Sequence, residues 1–302
     1  MTTTAVILIL ISALIHAGWN LMTKKENPSG AFFLVGTAMA TGLMLPGLIY
    51  FWPRLPLIPG PVWLLLIVTG FFNGVYYFSL AGAYRHGDLS LAYPLAKSLP
   101  TILLAIIAFS LGKGHDIGTW AIAGILLIVF GCVVLPLRRI NEFRPRNYLN
   151  PCCFLAGLAA VGTTGYTFVD DRVLAILRDL PDKPYTTVEA SFIYLILIGM
   201  VCTVWLGVGV SVFKAERQAL KEVLCRSKLN ALLLAIGMYG AYILILISMR
   251  YVTDVSLVCA FRQTCILIGS ILGMTWLKEK VCPPKLAGIA LIFIGLVMVA
   301  RS

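Results

Sequence analysis

The sequence predicts an all-α integral membrane protein, in which ten transmembrane helices form two inverted five-helix repeats. Three observations predict this fold: an apolar composition, ten apolar stretches of spanning length, and an internal repeat. The chain has 302 residues, of which 60% are hydrophobic and 12% charged, and its mean hydropathy is +0.93. Because a soluble domain carries about 25% charged residues, most of the surface is expected to face lipid.

A transmembrane helix needs about 20 mostly apolar residues, and ten stretches of the chain meet this requirement. We predict spans at residues 4–22, 31–51, 62–83, 89–111, 117–137, 150–170, 187–213, 229–248, 254–277 and 283–300. The first stretch is interpreted as a retained span, since no basic region precedes it as in a cleavable signal. Two of the linkers, 171–186 and 214–228, have helical spacing and are predicted to lie at the membrane interface.

Basic residues are distributed unevenly among the loops. The five odd-numbered loops hold 15 Lys and Arg residues, whereas the four even-numbered loops hold six. Because positive loops stay in the cytoplasm, this count predicts cytoplasmic odd loops and both termini outside. The same rule accounts for the net charge of +11 without nucleic acid, which we do not expect as a partner. One dense basic cluster, at 138–146, could also contact anionic lipid headgroups.

The chain repeats itself. The segment "AGILLIVFGCVVL" (123–135) matches "AGIALIFIGLVMV" (287–299) at seven of thirteen positions, and "GDLSLAYPLAKSLP" (87–100) aligns with "TDVSLVCAFRQTCI" (253–266). We therefore predict two halves, residues 1–147 and residues 148–302. Because each half has an odd number of spans, the second inserts upside down, which is a recurring plan of transporters.

Four segments resemble the drug/metabolite transporter superfamily, EamA type: "LIHAGWN", "GDLSLAYPLAKSLP", "WLKEK" and "AGIALIFIGLVMVA". The resemblance covers both halves and implies a ten-helix transporter of two inverted repeats. It also implies that helices 1 to 4 and 6 to 9 surround a cavity and that helices 5 and 10 pack outside. Members export amino acids and other metabolites, or carry nucleotide sugars and sugar phosphates.

This chain departs from the family pattern in two ways. The family usually has "GE" after the ninth span, where this chain has "LKEK" with Glu279. The family is also usually drawn with both termini in the cytoplasm, which is opposite to the orientation that the charge count predicts.

Lys97 lies between Pro94 and Pro100, eight residues into the apolar run 89–111. A charge is costly in lipid, and proline frees backbone carbonyls that protein or a water-filled cavity must satisfy. We therefore predict that Lys97 faces a cavity. The alternative is that its side chain snorkels to the interface.

Arg262 lies nine residues into the ninth predicted span, and the repeat aligns its neighbour Gln263 with Lys97. The three side chains are therefore predicted at similar depth. Arginine favours bidentate contacts with carboxylate or phosphate. The alternative is a structural ion pair, but Asp170 and Asp171 end a predicted span and are expected to be solvated. We therefore predict that the two cations bind an external anion.

Other polar and aromatic residues are predicted to shape the cavity. His16 could bind substrate or instead form a hydrogen bond between helices, and the tyrosines could instead belong to interfacial belts. The predicted substrate contacts besides Lys97, Arg262 and Gln263 are His16, Trp19, Asn20, Asn73, Tyr76, Tyr77, Tyr93, Tyr166, Tyr239 and Tyr242.

These observations predict a secondary transporter of a small anionic or zwitterionic metabolite. Export is the favoured direction, and amino acids, including aromatic ones, are the favoured substrates. The alternatives are a flippase or membrane enzyme for a phosphorylated lipid carrier, and a passive channel. No phosphate-binding loop or metalloprotease motif occurs, so we expect no enzyme activity, cofactor or metal. The expected partners are the metabolite and the bilayer of a bacterial inner membrane, with the chain as monomer or homodimer. The driving force stays open, because no buried carboxylate is expected to carry a proton.

Overall fold

The computed structural model describes residues 2–26, 28–110, 112, 118–137, 147–180, 184–248, 251, 258 and 261–301. The secondary structure of these residues is helical, without strands. The helices are α1 Thr3–Lys25, α2 Gly30–Phe51, α3 Gly60–His86, α4 Leu89–Ser110, α5 Thr119–Val134, α6 Pro151–Arg178, α7 Thr187–Val212, α8 Lys214–Arg226, α9 Lys228–Ser248, α10 Thr264–Trp276 and α11 Pro283–Ala300. A 3₁₀ helix, Trp52–Leu57, follows α2.

Within the described ranges, eight helical segments are long and apolar enough to cross a membrane. The helices α5 and α10 are apolar too, but they have 16 and 13 residues and adjoin residues outside the described ranges. The prediction of a multi-pass membrane protein is therefore confirmed, whereas the count of ten spans stays a prediction. The basic cluster at 138–146 and most of 252–260 lie outside the described residues.

One of the two predicted interfacial helices differs from the prediction. The segment 214–228 forms a separate helix, α8, as expected. In contrast, α6 continues without a break to Arg178, so the start of the segment 171–186 extends the sixth span. The apolar residues Val173 and Leu177 continue the buried face of this helix and explain the extension.

The chain forms two compact units, each drawn from both predicted halves. Unit 1 comprises Met1–Pro28, Ser79–Ala160 and Gly237–Ser302, and unit 2 comprises Ser29–Phe78 and Val161–Ile236. This division in space is not a division into repeats, so the repeat boundary after residue 147 stays a prediction.

In unit 1, the two helices that carry the clearest sequence repeat, α5 and α11, pack antiparallel through glycines. A β-carbon at Gly124 would lie 2.7 Å from the carbonyl oxygen of Gly295, and one at Gly131 would lie 2.9 Å from that of Gly288. Small residues allow this close approach of two backbones. In the sequence repeat, Gly124 aligns with Gly288 and Gly131 with Gly295. Each glycine therefore meets the equivalent of the other glycine on its own helix, and the contact is reciprocal.

Glu279 fixes the N-terminus of α4 in unit 1. Its two carboxylate oxygens accept hydrogen bonds from the backbone N–H groups of Leu89 (2.5 Å) and Ser90 (2.9 Å), and Oε2 also accepts one from the Ser90 hydroxyl (2.5 Å). Lys285 Nζ donates to Asp88 Oδ2 at 2.8 Å and to Ser90 Oγ at 3.1 Å. A negative charge at a helix N-terminus complements the helix dipole. The acid of the "LKEK" segment therefore holds the helix that carries Lys97.

Lys278, which precedes this acid, has a left-handed backbone with φ of 54°. A side chain in that conformation costs about 1–2 kcal/mol, which glycine avoids. Replacing Lys278 with Gly is expected to raise the free energy of unfolding by about 1 kcal/mol. This is the relief of backbone strain minus the stabilisation of the unfolded chain by the greater conformational entropy of glycine. The measurement is the thermal unfolding midpoint of detergent-purified protein. Lys280→Gly is the matched control, and an equal gain there would contradict the backbone explanation.

Unit 2 has an apolar cluster and a polar tie at one end of it. The tie is Arg54, which donates to Glu189 Oε1 at 3.0 Å and to the Pro184 carbonyl at 2.8 Å. The guanidinium also lies 5.7 Å from the ring centroid of Tyr185, and burial raises the pKa of that phenol. The tie thus joins the 3₁₀ helix to the start of α7. The fully or nearly buried members of the cluster include Val62, Leu66, Val169, Val173, Leu177, Ile193, Tyr194 and Leu197.

Candidate functional site

The thirteen predicted contact residues fall in both units. Nine lie in unit 1: His16, Trp19, Asn20, Tyr93, Lys97, Tyr239, Tyr242, Arg262 and Gln263. The other four lie in unit 2: Asn73, Tyr76, Tyr77 and Tyr166.

His16 is at the centre of the set in unit 1. Trp19 Nε1 donates a hydrogen bond to His16 Nδ1 at 3.2 Å, and the two rings meet edge to face at 4.9 Å. The Tyr93 ring lies 6.2 Å from the His16 ring. An indole N–H only donates, so Nδ1 must accept, and the proton of the neutral imidazole is on Nε2. This Nε2 is buried and has no hydrogen-bond partner among the residues that the structure describes.

Two cations accompany the imidazole. Lys97 and Arg262 both interact electrostatically with His16, and they interact with each other. Both side chains are half-buried. Neither joins an ion pair within the described part of the chain, where the pairs are Arg54–Glu189 and Lys285–Asp88. Two cations thus lie within electrostatic range of the imidazole, and all three groups can donate hydrogen bonds.

Local structure explains how these groups are held. Pro94 and Pro100 both lie inside α4, so this helix carries Lys97 through the two prolines without ending. The Tyr93 ring packs on α10 where a side chain is missing, since a β-carbon at Gly269 would lie 2.6 Å from its Cε1 atom. Gln263 is the N-cap of α10 and makes no side-chain capping bond. Arg262 directly precedes Gln263, and the backbone of both residues is close to helical.

Asn20 is held by hydrogen bonds inside unit 1, and its role as a substrate contact stays a prediction. Its side chain is fully buried, with 0% of its surface exposed. The Nδ2 group donates to the His16 carbonyl at 2.7 Å, and Oδ1 accepts from the Tyr84 hydroxyl at 2.6 Å. Both ends of the amide are therefore occupied within unit 1. Tyr84, the donor of this second bond, is fully buried and supports α1.

Two further tyrosines of the predicted set, Tyr239 and Tyr242, lie half-buried on α9. This helix packs on α1 at Gly237, where a β-carbon would lie 3.2 Å from Cβ of Trp19. Their helix is therefore next to the group of His16, Lys97 and Arg262, which we call the imidazole cluster.

The predicted residues of unit 2 form an aromatic cluster. The Tyr76 ring lies 4.9 Å from that of Tyr77 and 5.8 Å from that of Tyr166. A β-carbon at Gly162 would lie 2.7 Å from the Tyr76 backbone nitrogen, so this glycine brings α6 against α3. Asn73 Nδ2 donates to the Thr69 carbonyl at 3.0 Å. The three tyrosines of the predicted set in unit 2 thus pack together, and their role as substrate contacts stays a prediction.

Asp170 was expected to be solvated, and this expectation is wrong. Its Oδ1 accepts hydrogen bonds from Thr69 Oγ1 at 2.5 Å and from the Tyr194 hydroxyl. Asp171 is exposed, as expected. The signal that could have identified Asp170 is the apolar spacing after it, because Val173 and Leu177 continue the same helix through the membrane.

The described part of the chain also has a cavity of about 890 Å³ in unit 1. Helices α4, α5 and the start of α6 line it, and Leu95, Leu99 and Phe154 are among its lining residues. None of the predicted contact residues lines this cavity, and its lining has no cationic side chain. It is therefore separate from the imidazole cluster.

Comparison with known proteins gives one family and one fold. Residues 3–137 match the EamA-like transporter family. A solved crystal structure is similar over 99% of this chain and 96% of that chain, with a TM-score of 0.56 and 18% sequence identity. At that identity the similarity concerns the fold alone, and it extends along the whole chain. No curated protein matches the sequence.

Proposed function

Because this chain belongs to the drug/metabolite transporter superfamily through its EamA-like residues 3–137, we propose that it is a secondary transporter for a small metabolite with a carboxylate group. The proposed substrates are amino acids, including aromatic ones, and the proposed direction is export. The proposed location is the bacterial inner membrane. Transporters of this kind move solutes and do not transform them, so no catalytic residue is proposed.

The cluster of His16, Lys97 and Arg262 carries this proposal. All three groups donate hydrogen bonds, and the described residues pair neither cation with a carboxylate. An arginine matches a carboxylate with two parallel hydrogen bonds, whereas a lysine provides a compact charge. A carboxylate from outside would satisfy the two cations and the Nε2–H of His16 at once. The adjoining rings of Trp19 and Tyr93 would suit an aromatic or apolar part of the substrate.

We propose alternating access by two inverted repeats as the mechanism. The reciprocal contact of α5 and α11 through Gly124, Gly131, Gly288 and Gly295 supports this plan, because two equivalent helices that pack antiparallel are related by a local two-fold axis. In this mechanism the repeats rock around the carboxylate site and open it to one side at a time. The aromatic cluster of Tyr76, Tyr77 and Tyr166 is proposed to shape the remaining path.

The main alternative is a flippase or enzyme for a phosphorylated lipid carrier. Such a protein needs a lateral groove in which a cation meets the phosphate. The cavity of about 890 Å³ has apolar walls without a cationic side chain in the described residues. No observation therefore favours the lipid over the metabolite, and the alternative becomes an outcome of the test.

Counterflow in liposomes tests the proposal. Purified protein is reconstituted, loaded with unlabelled amino acids, and assayed for saturable accumulation of labelled phenylalanine, tryptophan, leucine or glutamate. We expect accumulation for at least one of them, and no accelerated exchange of a fluorescent phospholipid between leaflets. Lipid exchange without amino acid counterflow would support the flippase, and unsaturable flux would support a channel.

A further inference from the structure

Asp170 lies within the membrane-spanning part of unit 2. It is eight residues before the end of α6 at Arg178, and its partners lie at a matching depth on two other helices. Thr69 is nine residues after Gly60 in α3, and Tyr194 is seven residues after Thr187 in α7. At 1.5 Å per residue, the three groups lie about 10–14 Å inside their helices. A carboxyl group at that depth indicates a function, because ionisable residues in spans are costly.

The hydrogen bonds of Asp170 leave one of its oxygens available. Thr69 and Tyr194 both donate to Oδ1, and no described residue bonds to Oδ2. A carboxylate and a neutral carboxylic acid can both accept two bonds at Oδ1, since this oxygen stays an acceptor when the proton is on Oδ2. The same scaffold therefore fits both protonation states without rearrangement. The side chain is half-buried, so it keeps some accessible surface.

The described residues around Asp170 carry no compensating charge. Val169 and Val173 on α6 and Tyr194 on α7 belong to the apolar cluster of unit 2. On α3, the first charged residue is Arg85, 16 positions after Thr69, and the one charged residue of α7, Glu189, is bonded to Arg54. Asp171 and Arg172 of α6 are exposed. In the described part of the chain, only Thr69 and Tyr194 act on the carboxyl group besides its burial.

We propose that Asp170 is the proton-binding site of this transporter, where Oδ2 takes up one proton from water and releases it in each transport cycle. Uptake turns the carboxylate into a neutral acid, and release returns one proton and restores the negative charge. The free-energy cost of a charge in an apolar span differs between these two forms. Protonation thus alters the relative stability of conformations that differ in the hydration of Asp170. The proposal rests on the proposed transport function, because it assigns the coupling step of that function.

The first test reads proton binding directly and needs no substrate. Infrared difference spectra of purified protein are recorded as the pH is lowered, and the C=O stretch of a protonated carboxylic acid is followed. We expect a titrating band in wild type that is lost in Asp170→Asn and kept in Asp171→Asn. The control is matched, since Asp171 is the exposed neighbour on the same helix. A band that persists unchanged in Asp170→Asn would overturn the proposal.

The second test reads coupling in liposomes with labelled phenylalanine. Wild type and Asp171→Asn are expected to accumulate it against a gradient when a pH difference is imposed. Asp170→Asn should lose this accumulation and keep counterflow at equal pH, and Asp170→Glu should restore part of the accumulation. Accumulation by Asp170→Asn at the wild-type level would overturn the coupling role. If wild type shows no counterflow with any amino acid, the proposed function fails, and the infrared titration still decides whether Asp170 binds a proton.

Discussion

Replacing Lys97 with Met is expected to weaken binding of the carboxylate substrate by about 10- to 150-fold and to reduce transport to background. Methionine keeps the unbranched shape of the side chain and removes its charge. A hydrogen bond to a charged group contributes about 1.5–3 kcal/mol, which corresponds to that loss in affinity. The half-buried side chain has no ion-pair partner in the described residues, so its removal leaves no unpaired acid behind there. The measurement is the half-saturating concentration and maximal rate of counterflow.

Two variants make this result specific. Lys25→Met removes an exposed lysine near the end of α1 and should transport at the wild-type rate. Arg262→Gln should resemble Lys97→Met, because both cations act on the same imidazole. If Lys97→Met kept wild-type affinity while it folded normally, Lys97 would not belong to the site.

Replacing Glu279 with Ala is expected to reduce stability by about 2 kcal/mol and to weaken transport. The substitution removes an acceptor of three hydrogen bonds, and loss of a helix N-cap alone costs about 0.5–2 kcal/mol. Because α4 begins at Leu89 and carries Lys97 two turns later, a frayed N-terminus should also displace the lysine. The measurements are the thermal unfolding midpoint and the counterflow rate.

The control for Glu279 is Glu222→Ala, an exposed acid on α8. Glu222→Ala should leave both the unfolding midpoint and the transport rate unchanged. Glu279→Gln keeps one acceptor oxygen and should give intermediate stability. A stable Glu279→Ala variant would show that Lys285 and Asp88 alone fix the start of α4.

Local features of the fold could be predicted from the sequence, because they depend on residues close together in the chain. Apolar runs of spanning length predicted most helices to within a few residues. The charge inside the apolar run of α4 made Lys97 a candidate substrate contact. The repeated glycines identified α5 and α11 as equivalent helices. The sequence could not predict which glycine meets which, since that depends on an antiparallel approach of residues 157 and 171 positions apart.

The contacts that the sequence missed join distant segments. Glu279 reaches Ser90 across 189 positions, and Thr69 reaches Asp170 across 101. The periodicity of apolar residues reports the buried face of one helix and carries no information about the partner on another helix. This is why the sequence pattern ends the predicted span at the charge of Asp170. The structure instead has hydroxyl groups on α3 and α7 that donate to Oδ1 of this residue inside the span.

The central claim is that His16, Lys97 and Arg262 bind the carboxylate of the substrate. Thermal unfolding of detergent-purified protein tests it with matched pairs of solutes, each an amino acid and the amine or amide that lacks its carboxylate. We expect that at least one amino acid stabilises wild type and that its partner without the carboxylate does not. The stabilisation should disappear in Lys97→Met but not in Lys25→Met. Equal stabilisation by both members of every pair, or an undiminished effect in Lys97→Met, would contradict it.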